Sequence, residues 1–455
     1  MKVGVSFWER NIGSVEMGLE GVGDLSLHIV LSKLGAEDAA RVACVSRRLR
    51  VSSSEDSLWS EFCSRDLCLS APLDPHGNPA HSFKAAYQSW REAFGMYPWA
   101  LVKRVKRCWD NLRNWLSINF PEAHATLRGG ASEADIQELE SALKLKLPLP
   151  TRLLYRLCDG QELPTGNTSK SELGLIGGYS FYTHLVNVYL LPIRQIIRET
   201  KDIVRQLGFA RKSKYIAVAE SLTSDDKYFF LNCTNGQLYV GTKNLSNLGE
   251  MLPCVPNALI RSVHDLNGDQ QQDAMLLWLE EHGNRLQNGV IKLRGEGAAR
   301  SINLFPEVSP LCSAVVTNGV QVRASAVFVP EFADIHDDSE KYWFAYSIRM
   351  SLLPEGCIIN GMHYNSCQLQ RRQWIIRAND AIVSNVNAEA VIGKYPLLHP
   401  SEEEFVYESC TPLPSSSGSI EGFFTFVPGS LFDPKGSEFK VQVGNSPLQL
   451  PEYIF

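Results

Sequence analysis

The segment FVYESCTPLPSSSGSIEGFFTFVPG, from Phe405 to Gly429, alternates apolar and polar side chains on either side of a Pro- and Ser-rich centre. Alternation at period two marks strands with one buried face, and clustered Pro, Ser and Gly mark a turn between them. Pro414 to Ser419 therefore reads as a turn, not as a nucleophile or phosphate loop, since no G-x-S-x-G, Walker A or H-E-x-x-H motif occurs. The same pattern recurs upstream in TNGVQVRASAVFVPEF, KYWFAYSIRMSLL and RRQWIIRA. Many short strands with Asn-Gly, Pro and Gly punctuation predict an all-β sandwich from about Pro310 to the end of the chain.

Upstream the period changes. Ser132-x-x-Asp135 predicts a capped helix carrying Ile136, Leu139 and Leu143, stopped by Pro148 and Pro150. Asn235-Gly236 between KYFFLNC and QLYVGT predicts a hairpin, and DAMLLWLEEHGNRL a helix from Asp273 to Leu286. Helices bracketing antiparallel strands make this an α+β domain. LVKRVKRCWDNLRNWL aligns Val102, Val105, Trp109, Leu112 and Leu116 on one stripe. It reads as a helix packed on the next domain rather than a membrane-surface or calmodulin-binding helix.

The N-terminal part is helical. Leu27, Val30, Leu31 and Leu34 follow i, i+3, i+4, i+7 spacing, and a second helix after Gly35 would carry Ala39, Val42, Ala43 and Leu49. A third starts near Ser53, where Ser53-x-x-Asp56 reads as a capping box before Leu58, Trp59 and Phe62. Arg41, Arg47, Arg48 and Arg50 belong to the solvated side of these helices, and the adjacent serines read as turn and cap rather than a phosphorylation site. Such a small core needs a partner to cover its remaining apolar face.

Bulk properties narrow the class. With 455 residues the chain spans two to four domains, and a net charge of −6 argues against a general nucleic-acid binder. Eleven cysteines without any C-x-x-C pair suggest reduced thiols rather than a disulfide framework or zinc ribbon. Glu9 and Arg10 interrupt the N-terminus before a signal-peptide core could form, Lys2 excludes myristoylation, and no apolar run reaches the roughly 20 residues that span a bilayer. The expectation is a soluble protein of the cytoplasm, the nucleus or both.

Other candidate chemistry is weak. Gly295-Glu296-Gly297-Ala298-Ala299-Arg300 imitates a dinucleotide motif but reads as a linker, without a strand-then-helix context. His363, Cys367 and Cys357 lie near one another without metal-ligand spacing, and Asp265-x-Asn267-Gly268-Asp269 places its glycine too early for a calcium loop. No metal, cofactor or catalytic residue is expected.

Three family resemblances attach to these segments. Val30-Leu31-Ser32-Lys33-Leu34, Asp38-Ala39, Val45-Ser46-Arg47-Arg48-Leu49-Arg50 and Asp56-Ser57-Leu58-Trp59 resemble an F-box, with Val22-Gly23 in place of its Leu-Pro, Ala39 for a Leu and Leu49 for a Trp. SEADIQELE, LKLKLPLP and LLYRLCDG resemble the SMI/KNR (SUKH) family, a protein-binding domain. KYWFAYSIRM, RRQWIIRA, GKYPLLHP and FVYESCTPLPSSSGSIEGFFTFV resemble the ApaG family, an immunoglobulin- or fibronectin-like sandwich. The ApaG family's glycine-rich stretch is represented by Asn387-Ala388-Glu389-Ala390-Val391-Ile392-Gly393, which lacks two of three glycines and carries Glu389. Together these resemble plant SKP-interacting-partner F-box proteins and an animal F-box-only protein.

The resemblance implies an N-terminal tail over residues 1–20, an F-box over 21–70, a linker over 71–100, a SUKH-like domain over 101–286, a linker over 287–309 and an ApaG domain over 310–455. It implies a non-catalytic substrate-recognition subunit of a Skp/Cullin/F-box ubiquitin ligase. Its F-box would dock on the Skp adaptor, and through it on a Cullin/RING ligase, using Leu27, Val30, Leu31, Leu34, Val45, Leu49, Leu58 and Trp59. The other domains would bind an unknown protein substrate, with neither nucleic acid nor membrane involved. The alternatives are a nucleotide- or pyrophosphate-binding ApaG module and a non-degradative scaffold.

Overall fold

The structure is a computed structural model that describes residues 21–164, 172–206, 214–223, 227–268, 270–295 and 300–455. The expected N-terminal tail lies outside the described residues. The chain divides into two compact units, residues 1–103 and 104–455.

The first unit is helical: α1 (Asp24–Leu34), α2 (Ala36–Val42), α3 (Arg47–Ser52), α4 (Asp56–Leu67), α5 (Phe83–Phe94) and the start of α6 (Trp99–Asn119). Gly35, at φ +92°, separates α1 from α2, a backbone geometry that favours glycine. The second expected helix is broken in two, because Ser46 adopts extended backbone and its side chain accepts a hydrogen bond from Leu49 N, capping α3 afresh. The expected Ser53-x-x-Asp56 box does not form. Ser53 ends α3, Glu55 precedes α4, and the Asp56 carboxylate instead accepts from Phe83 N at 2.8 Å, fixing the start of α5. Residues 71–100 are therefore not a linker: α5 packs on α4, burying Tyr87, Trp90 and Phe94.

The second unit begins with the stripe Val105, Trp109, Leu112 and Leu116 of α6, all buried, and Trp109 Nε1 donates to Leu154 O at 3.0 Å. Next come α7 (Pro121–His124), α8 (Glu133–Leu143) and α9 (Leu149–Leu157). In α8, Ser132 and Asp135 form the expected reciprocal cap. One sheet takes β1 (Gly177–Phe181), β2 (His184–Leu190), β3 (Tyr215–Ser221), β4 (Tyr228–Asn232), β5 (Leu238–Gly241) and β6 (Met251–Pro253), with α10 (Ile193–Gln206) and α11 (Leu245–Leu248) between strands. After α12 (Ala274–Gln287) come β7 (Lys292–Arg294) and β8 (Ser301–Asn303). The strand order is β6-β5-β4-β3-β2-β1-β8-β7, so β7 and β8, which fall within the expected linker 287–309, complete this sheet.

The sandwich contains β9 (Cys312–Thr317), β10 (Val320–Phe328), β11 (Tyr342–Leu352), β12 (Cys357–Ile359), β13 (Met362–Tyr364), β14 (Cys367–Ala378), β15 (Ala381–Glu389), β16 (Leu397–Leu398), β17 (Phe405–Leu413), β18 (Ser417–Pro428) and β19 (Phe439–Gln449). One sheet runs β17-β11-β10-β9; the other runs β15-β14-β18-β19, with β16 added to β14. Asn318 and Gly319, both at positive φ, make the β9–β10 turn, the geometry that matches strand twist in a tight hairpin. Tyr346 and Trp374, from opposite sheets, meet edge to face between them with ring centroids 6.2 Å apart.

Candidate functional site

Helix α1 reads DLSLHIVLSKL and is apolar on more than one face. Leu27 and Leu31 point inward, joining Ala39, Leu49, Leu58, Trp59 and Phe62 in the core. Trp59 is only 3% exposed, and its Nε1 donates to Ser53 O at 2.8 Å. Leu25, Ile29, Val30 and Leu34 remain exposed on the same helix, together with Val45 between α2 and α3 and Val51 on α3. Leu25 is 77% and Val45 74% exposed. Since α1 packs directly on α2 and α3, these side chains belong to neighbouring elements of one small bundle.

This divides the expected adaptor-binding set. Val30, Leu34 and Val45 are available to a partner. Leu27, Leu31, Leu49, Leu58 and Trp59 are not, because each is at most 3% exposed and forms part of the bundle's core. Leu25, Ile29 and Val51, which were not in that set, are exposed as well.

Arg41, Arg48 and Arg50 are occupied locally. Arg41 pairs with Glu37 at 2.7 Å and Asp38 at 3.0 Å, Arg48 reaches Asp24 at 2.7 Å, and Arg50 Nε donates to Ala43 O at 3.2 Å. They rim the helices and form no phosphate-binding array.

In the second unit, polar groups converge where the α+β domain meets the sandwich. Lys227 Nζ, fully buried, donates to Tyr179 Oη at 2.7 Å and to Phe455 O at 2.8 Å, and lies 3.5 Å from Glu331 Oε2. Glu331, in the turn Pro330–Phe332, also accepts from Tyr179 Oη at 2.8 Å and contacts His184 Nε2 at 2.9 Å. Burial pushes the Glu331 carboxyl up, but Lys227 and His184 overcome it and hold the group below its ordinary value. Burial lowers Lys227, opposed by Glu331, and raises the Tyr179 phenol. The last residues reinforce this closure: Ile454 N donates to Cys254 O at 3.1 Å, Trp278 Nε1 to Ile454 O at 2.7 Å, and the Phe455 ring stacks on Trp278 at 5.4 Å.

The remaining motifs resolve as scaffold. Asn387–Gly393 runs off the end of β15 into a turn where Val391 and Lys394 exchange backbone hydrogen bonds, and no helix follows to cradle phosphate. Residues 296–299 of the Gly295–Arg300 stretch lie outside the described residues, as does Asp269; Asp265 accepts from Asn267 N at 2.9 Å, forming a turn. Ser415 to Ser417 turn the chain from β17 into β18. His363 is exposed whereas Cys357 and Cys367 are buried, and among the described residues no group of three His, Cys, Asp or Glu side chains could hold a metal. No described helix is long and apolar enough to cross a membrane.

Comparison with known proteins finds the SMI1 / KNR4 family (SUKH-1) over residues 130–254 and the ApaG domain over residues 333–428. F-box protein SKIP16 of Arabidopsis thaliana is 64% identical over 440 residues, covering 96% of this chain and 100% of that protein. F-box only protein 3 of Homo sapiens is 25% identical over 421 residues, covering 90% and 79%. Protein ApaG of Methylobacterium sp. (strain 4-46) is 30% identical over 135 residues, covering 30% of this chain and 91% of its own length.

Proposed function

This chain belongs to the family of F-box proteins that carry SMI1/KNR4 and ApaG domains, and we propose that it is a substrate-recognition subunit of a Skp/Cullin/F-box ubiquitin ligase. The observation that supports this most is the uncovered aliphatic surface of the first unit, Leu25, Ile29, Val30, Leu34, Val45 and Val51. These exposed aliphatic side chains share their helical bundle with the exposed Lys33 and with Arg41 and Arg48 and their acidic partners, the mixture of apolar and charged groups found in protein interfaces with a polar rim. Fully burying each such side chain contributes about 1.5–3 kcal/mol, so a few of them can offset the cost of association.

In this reading the face docks on a Skp-type adaptor and thereby reaches a Cullin/RING ligase, while the SUKH-like and ApaG domains hold a protein substrate. The chain breaks and forms no bonds itself; it contributes proximity between substrate and the ubiquitin-charged enzyme. Its place of work is the cytoplasm, the nucleus or both. The test is affinity capture from cells under proteasome inhibition, comparing the natural chain with Leu25→Asp/Ile29→Asp. The natural chain should recover adaptor, cullin and ubiquitinated proteins together, and the variant should lose adaptor and cullin. Equal recovery of adaptor by both would overturn the assignment.

A further inference from the structure

An open cleft of about 820 Å³ lies where β1, β7 and β8 of the α+β domain approach β11 and β17 of the sandwich. Its floor is one face of the β17-β11-β10-β9 sheet. The register pairs Ser347 with Glu408 and Arg349 with Val406, so Arg349 and Glu408 are diagonal neighbours on that face. Diagonal neighbours stand roughly 7–8 Å apart along the backbone.

Most charge around this floor is already paired. Arg294 donates twice to Glu307 at 2.7 Å, and Arg323 donates to both oxygens of Glu404 at 2.6 Å. Four charged lining groups remain, Glu172 and three more. Arg349 is 2% exposed and its Nε–H has no acceptor; its nearest carboxylate contact is Glu307, 3.5 Å from NH1. Glu408 accepts from Ser180 Oγ at 2.8 Å and Asn303 Nδ2 at 3.5 Å, with Ser347 and the charge of Arg349 also favouring its ionised form, and it is in no ion pair within 4 Å among the described residues. Glu403 is exposed and likewise outside any ion pair there. Beside them the ring of Tyr182 is 71% exposed, while its hydroxyl is anchored to Ser409 Oγ at 2.8 Å.

We propose that this cleft binds a lysine or arginine side chain of a polypeptide partner, its cationic tip on Glu408 and Glu403 and a main-chain carbonyl on Arg349 Nε. The chemistry left over after internal pairing selects this occupant. Glu408 and Glu403, outside any ion pair among the described residues, call for a positive group, and an anion would find Arg294 and Arg323 already engaged, with only Arg349 retaining an unused N–H. A buried donor without an acceptor is destabilising, and a peptide carbonyl is the acceptor every polypeptide carries. Tyr182 offers an aromatic face along which the aliphatic stem can lie and to which a cation is attracted. Burial pushes the Glu408 carboxyl up, and an arriving cation favours its ionised form. A cleft of this volume accommodates one long side chain with its flanking backbone.

This assignment rests on the reading that the second unit presents a partner polypeptide, and its test is independent of adaptor binding. The intact protein is titrated, by calorimetry at low salt, with acetyl-Gly-Ala-Lys-Ala-Gly-amide and with the same peptide carrying norleucine or glutamate in place of lysine. The lysine peptide should bind saturably below about 1 mM, at least tenfold more tightly than the norleucine peptide, and the glutamate peptide should not bind. Glu408→Gln should weaken the lysine peptide about tenfold and the exposed Glu403→Gln severalfold, with melting curves unchanged. Equal affinity for lysine and norleucine, preference for glutamate, binding of none of the three, or indifference to both substitutions would overturn it. Adaptor binding by the same preparations reports separately: if it persists while the peptide prediction fails, only the cleft assignment falls.

Discussion

In the first unit Leu25, Ile29 and Val45 stand in water, whereas in the second the charges of Lys227 and Glu331 are sealed from it. Each arrangement inverts the usual placement of its residue type, and each is costly alone. Exposed aliphatic side chains are stabilised when another surface covers them. The buried charges are already satisfied by one another, by Tyr179, and by the Phe455 carbonyl. One region thus exposes the side chains that the proposed partner would cover, and the other satisfies its charges internally where two domains meet.

That contrast can be broken most severely at the buried pair. Glu331→Ala leaves Lys227 buried without its counter-charge and should destabilise the second unit by roughly 3–5 kcal/mol in chemical denaturation. The double variant Lys227→Met/Glu331→Leu should lose less than this single one, because an apolar replacement removes the uncompensated charge. Trp59→Ala should cost roughly 3–5 kcal/mol in the first unit, as expected of a core residue. Exposed Val45→Asp should stay within about 0.5 kcal/mol by the same assay.

A pH series sharpens the closed side. Burial lowers His282 to about 4 from its ordinary 6.5, with Nε2–H donating to Leu175 O at 2.9 Å. Below pH 6.5 the unfolded chain binds a proton that the buried ring refuses until about pH 4. His282 therefore removes stability as pH falls through that window, up to about 3 kcal/mol at about 1.4 kcal/mol per pH unit. The difference in stability between wild type and His282→Asn should change by that amount between pH 6.5 and 4, and a constant difference would contradict the assignment. The smallest expected effect is Val30→Ala, which trims an exposed methyl pair and should weaken adaptor binding only a few-fold.

Local pattern carried the strands of the sandwich, the Asn318-Gly319 and Asn235-Gly236 turns and the Ser132/Asp135 cap, because each is decided by residues a few positions apart. The closed junction was not legible: Lys227, Glu331 and Phe455 are brought together only by tertiary folding. Strands β7 and β8 are three residues each, too short for a period to register, so they passed as linker. In the first unit the difficulty was the reverse. Periodicity picked out both buried and exposed positions of α1, since a helix whose apolar residues are spread around its axis has no unique inward face.

The most direct test of that open face is titration of a purified Skp-type adaptor into the intact chain and into Ile29→Asp/Val45→Asp. Circular dichroism should show both folded alike. The account predicts saturable binding by the natural chain and at least a tenfold loss in the double variant; undiminished affinity in a folded double variant would contradict it.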